Sequence, residues 1–123
     1  MTYNELKQMI DAIDNPVERL EFVMGLGTDL ETVPCTAECY DIAGCASAVQ
    51  ICIDNGRFYA RADSALVRGL LVILLAMIDG KKIEQIKEMD LAEMFAQLNL
   101  NLGMGRMNGV NSMIRFFQNF VIK

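Results

Sequence analysis

The sequence predicts an α+β domain in which a small antiparallel sheet of about three strands packs against helices on one of its faces. Three observations lead to this prediction: helix-start signals near the amino terminus, a hairpin signal at Asn55-Gly56, and a nearly continuous apolar segment directly after the hairpin. The chain has 123 residues, of which 53% are hydrophobic and 22% are charged. This length and composition predict one globular domain over residues 1–123.

Two helices are predicted before the sheet. The segment Thr2-Tyr3-Asn4-Glu5 has the spacing of a capping box and precedes an amphipathic stretch. A second helix begins at Asn15-Pro16, because asparagine caps a first turn well and proline has no amide to leave unsatisfied there. We expect this helix to end near Gly25 to Gly27. Residues 28–44 are expected to be irregular, with at most one short strand around Cys39 to Ile42.

The hairpin has the clearest local signal in the chain. Asn55-Gly56 is typical of a two-residue type I′ turn, and residues of alternating character flank it. Centring the turn on this pair predicts three apolar cross-strand pairs: Ile53 with Phe58, Ile51 with Ala60, and Val49 with Ala62. Polar side chains and Cys52 then occupy the opposite face. A slip of one residue would mix the two faces, so the pattern indicates a single register.

Four helices are predicted after the hairpin. Ser64 to Ile78 is apolar nearly all round, which indicates a buried central helix. A short helix is expected around Ile83 to Met89, and a capping pattern opens another helix over Asp90 to Leu98. The last amphipathic helix is expected over Arg106 to Val121, after a loop marked by Gly103 and Gly105.

Charge and composition exclude several classes of function. The net charge is −5 and the isoelectric point is about 4.6, so the chain lacks the basic surface that a general nucleic-acid binder needs. The sequence contains no histidine, which excludes serine triads, Cys-His pairs and His-ligated metal sites. The longest apolar stretch, Gly69 to Ile78, is far shorter than the about 20 residues of a membrane helix. The polar, acidic amino terminus resembles no targeting peptide, so we expect a cytoplasmic protein that has no membrane partner.

The four cysteines are Cys35, Cys39, Cys45 and Cys52. Thiols stay reduced in the cytoplasm, so we expect free thiols, metal ligands or catalytic groups rather than structural disulfides. A four-cysteine zinc or iron–sulfur site is one alternative, although the C-x2-C spacing is missing and Cys52 falls in a strand. A redox pair of Cys35 and Cys39 is another alternative. The simplest interpretation of Cys52 is a small residue of the core or sheet.

Cys45 differs from the other cysteines because it follows Gly44 on a loop of small residues that leads into the hairpin. Glycine permits a tight turn and lets a partner approach the sulfur closely. The thiol is therefore a candidate nucleophile, and a plain loop cysteine is the alternative. Since no histidine can act as its base, activation would have to come from backbone amides or from Arg61, Arg68 or Arg106.

Three segments resemble the SufE family, the sulfur-acceptor partners of cysteine desulfurases. Ile42 to Val49 is similar to the family pattern G-C-x-S-x-V, and Ala62 to Leu70 is similar to S-D-A-x-I-V-[KR]-G-L. Arg106 to Met113 resembles R-x-x-G-L-x-x-M. The segments occur in the family's order and approximate spacing. The chain departs from the family at Gln50, where a bulky aromatic is usual, and at Leu102 to Arg106, where L-[ST]-P-S-R is common.

The resemblance implies the α+β fold that the SufE family shares with iron–sulfur scaffold proteins of the NifU type. It implies that Cys45 takes sulfur from the persulfide of a PLP-dependent cysteine desulfurase, stimulates that enzyme and passes the sulfur to an iron–sulfur scaffold protein. By position, Gly44, Ser47, Asp63 and Arg106 would support the site. Such a carrier needs no cofactor and no metal of its own, only a transient persulfide on Cys45.

Two other functions remain open from the sequence. One is a metal-binding or iron–sulfur scaffold protein that uses the four cysteines, and the other is a non-catalytic regulator that keeps the desulfurase-binding surface but uses Cys45 little. For the sulfur carrier we expect a partly buried Cys45 whose pKa is not strongly lowered, on a loop that swings outward when the desulfurase docks. We also expect Asp63 and Ser64 to cap the buried helix.

Overall fold

The computed structural model describes residues 1–120 and confirms the α+β fold. Two helices precede a three-stranded antiparallel sheet, and four helices follow it, as predicted. The elements in chain order are α1 (Tyr3–Asp11), α2 (Pro16–Leu26), a 3-10 turn (Gly27–Asp29), β1 (Glu38–Asp41), β2 (Val49–Asp54), β3 (Arg57–Ala62), α3 (Ala65–Ile78), α4 (Ile83–Glu88), α5 (Leu91–Ala96) and α6 (Met104–Asn119). Val121, the predicted end of the last helix, lies outside the described residues.

Helices α1 and α2 begin where their capping residues predict. The Thr2 hydroxyl accepts a hydrogen bond from the Glu5 amide at 3.2 Å, and the Glu5 carboxylate accepts one from the Thr2 amide at 3.2 Å. These two bonds form the predicted capping box. The Asn15 side-chain oxygen accepts from the Val17 amide at 2.8 Å and opens α2. Both helices therefore start at fixed points and lie against α3.

The sheet has the strand order β1-β2-β3, and both strand pairs are antiparallel. The predicted register of the hairpin is confirmed at all three apolar pairs. Asn55 and Gly56 have φ values of 51° and 78°, as a type I′ turn requires. Strand β1 forms the edge of the sheet and pairs with β2, and this pairing sets Cys39 opposite Cys52.

The core lies between one face of the sheet and the helices. Helix α3 is buried along most of its length, as predicted. It meets α2 backbone to backbone, because a Cβ built on Gly69 would lie 1.8 Å from the Val23 carbonyl oxygen. Helix α6 contributes Phe117, whose ring packs edge-to-face on Phe58 of β3 with 5.2 Å between centroids. The sheet, α3 and α6 thus share one core.

Two predicted helix starts differ in detail from the structure. Helix α6 begins at Met104, two residues earlier than predicted, because Gly103 has a φ of 79° and turns the chain directly into the helix. Gly105 therefore lies inside α6 and not in a loop. At α3 the cap is Ser64, whose hydroxyl accepts from the Val67 amide at 3.3 Å. Asp63 precedes the cap position and its side chain does not cap the helix. Within residues 1–120, none of the helices has the length and apolar character needed to cross a bilayer.

Candidate functional site around Cys45

Cys45 lies on a short loop, residues 42–48, that joins β1 to β2 and is called the Cys45 loop below. Its base is closed by two hydrogen bonds between the strands. The Ile42 amide donates to the Val49 carbonyl at 3.0 Å, and the Gln50 side-chain amide donates to Asp41 at 2.9 Å. Gln50 thus ties the two strands together at the position where the family usually has an aromatic residue.

The carboxy-terminal end of the Cys45 loop is hydrogen-bonded to the residues that connect β3 to α3. The Asp63 amide donates to the Ala48 carbonyl at 3.3 Å. Arg68, one turn into α3, donates to the carbonyls of Ala62 and Asp63 at 3.2 Å and 3.0 Å. Asp63 therefore contacts the loop through its backbone, and its side chain makes no hydrogen bond or ion pair within residues 1–120. Arg68 thus binds backbone carbonyls and makes no ion pair with a carboxylate within residues 1–120.

The thiol of Cys45 rests on helix α6 at Gly109. Its Sγ lies 3.8 Å from the Gly109 carbonyl oxygen, in position for a weak S–H···O hydrogen bond. A Cβ built on Gly109 would lie 3.4 Å from the same sulfur. The side chain of Cys45 is half-buried and also contacts the hydrophobic core. A side chain larger than a methyl group at residue 109 would therefore enter the space that the sulfur occupies.

A second contact seats the loop on α6 one turn further along the helix. Gly44 has a φ of 86°, and a Cβ built there would lie 2.6 Å from the Ser112 hydroxyl oxygen. That hydroxyl is held in place, since it donates to the Asn108 carbonyl at 3.0 Å and accepts from Arg115 at 3.2 Å. Gly44 is thus required both for its left-handed backbone and for its close approach to Ser112.

Burial raises the pKa of the Cys45 thiol above its ordinary value. The Gly109 carbonyl acts in the same direction, because it can accept a hydrogen bond from the protonated thiol but repels a thiolate. At neutral pH the resting sulfur is therefore a thiol and a poor nucleophile. The expectation of a partly buried Cys45 whose pKa is not strongly lowered is confirmed.

The three arginines considered as activators are engaged elsewhere or exposed. Arg61 donates to the sulfur of Cys39 at 3.7 Å, and Arg68 donates to carbonyls as described. Arg106 is exposed and makes no side-chain hydrogen bond or ion pair with residues 1–120. It lies three positions before Gly109 on the same face of α6, one turn closer to the helix start. Its role at the site stays a prediction.

Of the other predicted site residues, the structure brings Gly44 and Cys45 against α6, and it places Ser47 within the loop. Ser47 makes no side-chain hydrogen bond within the described part of the chain. Sequence reasoning did not identify Gly109 and Ser112 as the floor of the site. Both lie in the segment that resembles R-x-x-G-L-x-x-M, and its fixed glycine was the available signal.

The expectation that disulfides are absent is wrong. Cys39 and Cys52 form a disulfide bond, with 4.0 Å between their Cα atoms. They are directly paired in the β1–β2 ladder, so Cys52 is a cross-linked sheet residue and cannot join Cys35 in a metal site. The alternative of a redox pair of Cys35 and Cys39 is contradicted by the same bond, and Cys35 is free and exposed. Among residues 1–120, no group of three or more potential ligands is arranged to hold a metal ion.

Comparisons with known proteins agree with this fold. The sequence profile of the SufE family, described as an Fe-S metabolism associated domain, matches residues 4–121. Uncharacterized SufE-like proteins from Rhizobium meliloti and Rhizobium etli are 31% and 30% identical, and each match covers 89% of this chain and 89% or 84% of the relative. The sulfur acceptor protein CsdE of Escherichia coli is 30% identical over 72% of this chain and 66% of its own length.

A solved structure supports the fold independently. The solution structure of a hypothetical protein from Thermus thermophilus matches with a TM-score of 0.67, over 96% of this chain and 93% of that chain. The two sequences are 15% identical, so this likeness concerns the fold alone.

Proposed function

Because the chain belongs to the SufE family, we propose that it is a sulfur-transfer protein of iron–sulfur cluster assembly that accepts sulfur on Cys45 from the persulfide of a cysteine desulfurase. The observation that carries the proposal is the placement of Cys45 on a short loop, half-buried against Gly109. Similarity to CsdE, whose name describes a sulfur acceptor, supports it further.

The proposed reaction is thiol–persulfide exchange. Cys45 loses its proton to solvent or to the partner, and its thiolate attacks the outer sulfur of the donor persulfide. A new S–S bond forms on Cys45 while the S–S bond of the donor breaks, and the donor cysteine leaves as a thiolate that takes up a proton. The chain ends with one additional sulfur, and the desulfurase returns to its free thiol. Removal of this product sulfur would stimulate the desulfurase.

The resting geometry requires the loop to open before this reaction. The sulfur faces the Gly109 carbonyl and its pKa is raised by burial, so attack from the resting position is slow. The contact with Gly109 is a single weak hydrogen bond, which costs little to break. We expect docking of the desulfurase to draw the Cys45 loop outward, with Gly44 as one point of rotation.

The same shelter would protect the sulfur during transport. A persulfide exposed to solvent is lost to thiols and oxidants. Return of the loop to Gly109 would half-bury the modified sulfur until an iron–sulfur scaffold protein docks and accepts it. The carrier would thus use one loop for loading, for protection and for delivery.

The proposal is tested by mass spectrometry of the full chain under argon, after incubation with a cysteine desulfurase and cysteine. We expect a mass gain of one sulfur that peptide mapping places on Cys45. Cys45→Ser should take up no sulfur at that peptide and should fail to stimulate the desulfurase, while Cys35→Ser should behave as the wild-type chain. Equal sulfur loading in Cys45→Ser and in the wild type would contradict the proposal. Stoichiometric zinc or iron in the purified protein would favour a metal-binding function instead.

A further inference from the structure

The Cys39–Cys52 disulfide joins the two strands from which the Cys45 loop emerges. Cys39 is in β1 and Cys52 is in β2, at a sequence separation of 13. Cys45 lies between them in sequence, so the disulfide closes a covalent ring that contains the whole loop. The bond crosses the ladder between directly paired residues of the edge strand and its neighbour.

The two cysteines of this bond differ in their exposure to solvent. Cys52 is fully buried, with 0% of its surface exposed, whereas Cys39 is exposed. The guanidinium of Arg61 lies 3.7 Å from the Cys39 sulfur. A thiol in solvent therefore reaches Cys39 before Cys52, and the positive charge of Arg61 can stabilise a thiolate at Cys39.

We propose that Cys39–Cys52 is a thiol–disulfide exchange site for low-molecular-weight thiols such as glutathione, and that its redox state sets how readily the Cys45 loop opens. The consequence of this exchange for sulfur transfer rests on the proposed function. The exchange chemistry and its effect on the loop rest on the register, burial and charge described above.

The exchange proceeds in two balanced steps. The thiolate of one glutathione attacks the Cys39 sulfur, a mixed disulfide forms there, and the bond to Cys52 breaks. The Cys52 sulfur takes a proton and becomes a buried thiol. A second glutathione thiolate then attacks the glutathione sulfur of the mixed disulfide, which releases oxidised glutathione and leaves Cys39 as a thiolate beside Arg61. Two thiols thus supply the two electrons, and oxidised glutathione reverses the sequence.

Reduction removes the only covalent tie across the base of the loop among the described residues. The remaining ties are hydrogen bonds, namely those of Ile42 with Val49 and of Gln50 with Asp41, together with the short β1 ladder. Strand β1 has four residues and lies at the edge of the sheet, so its pairing alone is easily frayed. The reduced chain should therefore lift the loop from α6 more often than the oxidised chain.

The first experiment equilibrates the full chain with glutathione buffers from oxidising to reducing, followed by acid quenching, alkylation and peptide mass spectrometry. Cys39 and Cys52 should change together as one two-electron pair, and a glutathione adduct should be trapped on Cys39 in preference to Cys52. An adduct found mainly on Cys52, or four free thiols at every buffer ratio, would overturn the exchange site. A disulfide that no buffer ratio reduces in the folded chain would do the same.

The second experiment measures the rate of Cys45 alkylation by iodoacetamide in the oxidised and the reduced chain, with exposed Cys35 as the internal reference. The ratio of the Cys45 rate to the Cys35 rate should rise on the order of tenfold on reduction, because a cross-link across a loop of this size restrains it by well over RT. The Cys39→Ser, Cys52→Ser double variant should show the higher ratio in every buffer. As a matched control, Cys35→Ser should keep the response of Cys45, measured there as the absolute alkylation rate.

An equal rate ratio in the oxidised and the reduced wild-type chain would overturn the link between the disulfide and the loop. That comparison needs no substitution, so it does not depend on whether the double variant folds. Neither experiment contains a desulfurase or transferable sulfur. A negative result here therefore leaves the proposed function standing, and a failure of sulfur loading leaves this inference standing.

Discussion

A methyl group on Gly44 would lie 2.6 Å from the hydroxyl oxygen of Ser112. A Cβ essentially never lies so close to another heavy atom, so a side chain at residue 44 would force the Ser112 hydroxyl or the Cys45 loop to move. The φ of 86° at Gly44 adds an independent requirement for glycine. The position of the Cys45 loop on α6 therefore depends both on the close approach of residue 44 to Ser112 and on the left-handed backbone of Gly44. Substitutions at residues 44 and 112 can separate the two contributions.

Gly44→Ala should lower the free energy of unfolding by at least about 1–2 kcal/mol, the cost of a left-handed backbone with a Cβ, with the clash added. Adding Ser112→Ala to this variant should remove the clash, because the remaining Cβ of residue 112 would lie 3.6 Å from the new methyl group. Only the free-energy cost of the left-handed backbone should then remain. Urea unfolding of the two single variants and the double variant measures this coupling. An absence of coupling between the two substitutions would mean that residue 44 does not rest on Ser112.

At Gly109 a methyl group should leave the Cys45 loop in place, whereas a large side chain should displace it. Gly109→Ala places a methyl 3.4 Å from the Cys45 sulfur, an ordinary contact, and should raise helix stability by about 0.5–1 kcal/mol. Gly109→Leu cannot fit beneath the sulfur and should push the loop outward, which increases the alkylation rate of Cys45. Thermal unfolding and peptide-resolved alkylation are the measurements. Slower labelling of Cys45 in Gly109→Leu would contradict the assigned contact.

The raised pKa of Cys45 gives a pH dependence with a definite sign. In the folded chain burial favours the neutral thiol, whereas the unfolded chain ionises near the ordinary thiol pKa of about 8.5. Stability should therefore fall as the pH rises from that value through the higher pKa of the folded state. The difference in unfolding free energy between the wild type and Cys45→Ala, measured from neutral to alkaline pH, should show this slope. A difference that does not change with pH would argue against a buried resting thiol.

Arg106→Ala tests the predicted role of the exposed arginine at the start of α6. The side chain makes no hydrogen bond or ion pair within residues 1–120, so its loss should change the unfolding free energy by no more than about 0.5 kcal/mol. Sulfur loading by a desulfurase should decrease, while alkylation of Cys45 in the free chain should not. Lys7→Ala on α1 removes the same charge far along the sequence and is the control. Equal sulfur loading in Arg106→Ala and Lys7→Ala would show that Arg106 has no role in the site.

The contact between α2 and α3 gives a prediction about the fold alone. Gly69→Ala would place a methyl 1.8 Å from the Val23 carbonyl oxygen and should cost about 3 kcal/mol or more, because two backbones must separate. Gly25→Ala in α2 meets no atom within 4 Å and should stabilise the chain slightly. Chemical denaturation of both variants decides the point. Comparable stability of the two would show that the helices are not in close contact.

The residues that could be predicted from the sequence are those whose structure depends on near neighbours. Asn55-Gly56 and the alternation around it define the β2–β3 register, and Asn15-Pro16 defines a helix start, because a few adjacent residues decide each. The register of β1 depends on a distant pairing of four residues that carry no alternating pattern. Without that register Cys39 could not be placed opposite Cys52, so the disulfide was missed.

The floor of the site was missed for a related reason. Gly109 and Ser112 follow Cys45 by more than 60 positions, and the tertiary packing of α6 brings them beneath the loop. The local sequence pattern does not indicate a contact between residues so far apart in the chain. Resemblance to a family marked Cys45 as reactive, but it did not say which side chains the sulfur would touch.

The contact between Cys45 and Gly109 affects how tightly a partner can bind. If only a fraction of molecules hold the loop outward, a partner that recognises the open loop binds with an apparent Kd larger than its intrinsic Kd by the reciprocal of that fraction. If Cys45 carries sulfur as proposed, a substitution that opens the loop would strengthen the complex and at the same time shorten the lifetime of the persulfide in solution. Partner affinity and sulfur retention would then be opposed, and the few contacts between Cys45 and α6 would set the balance between them.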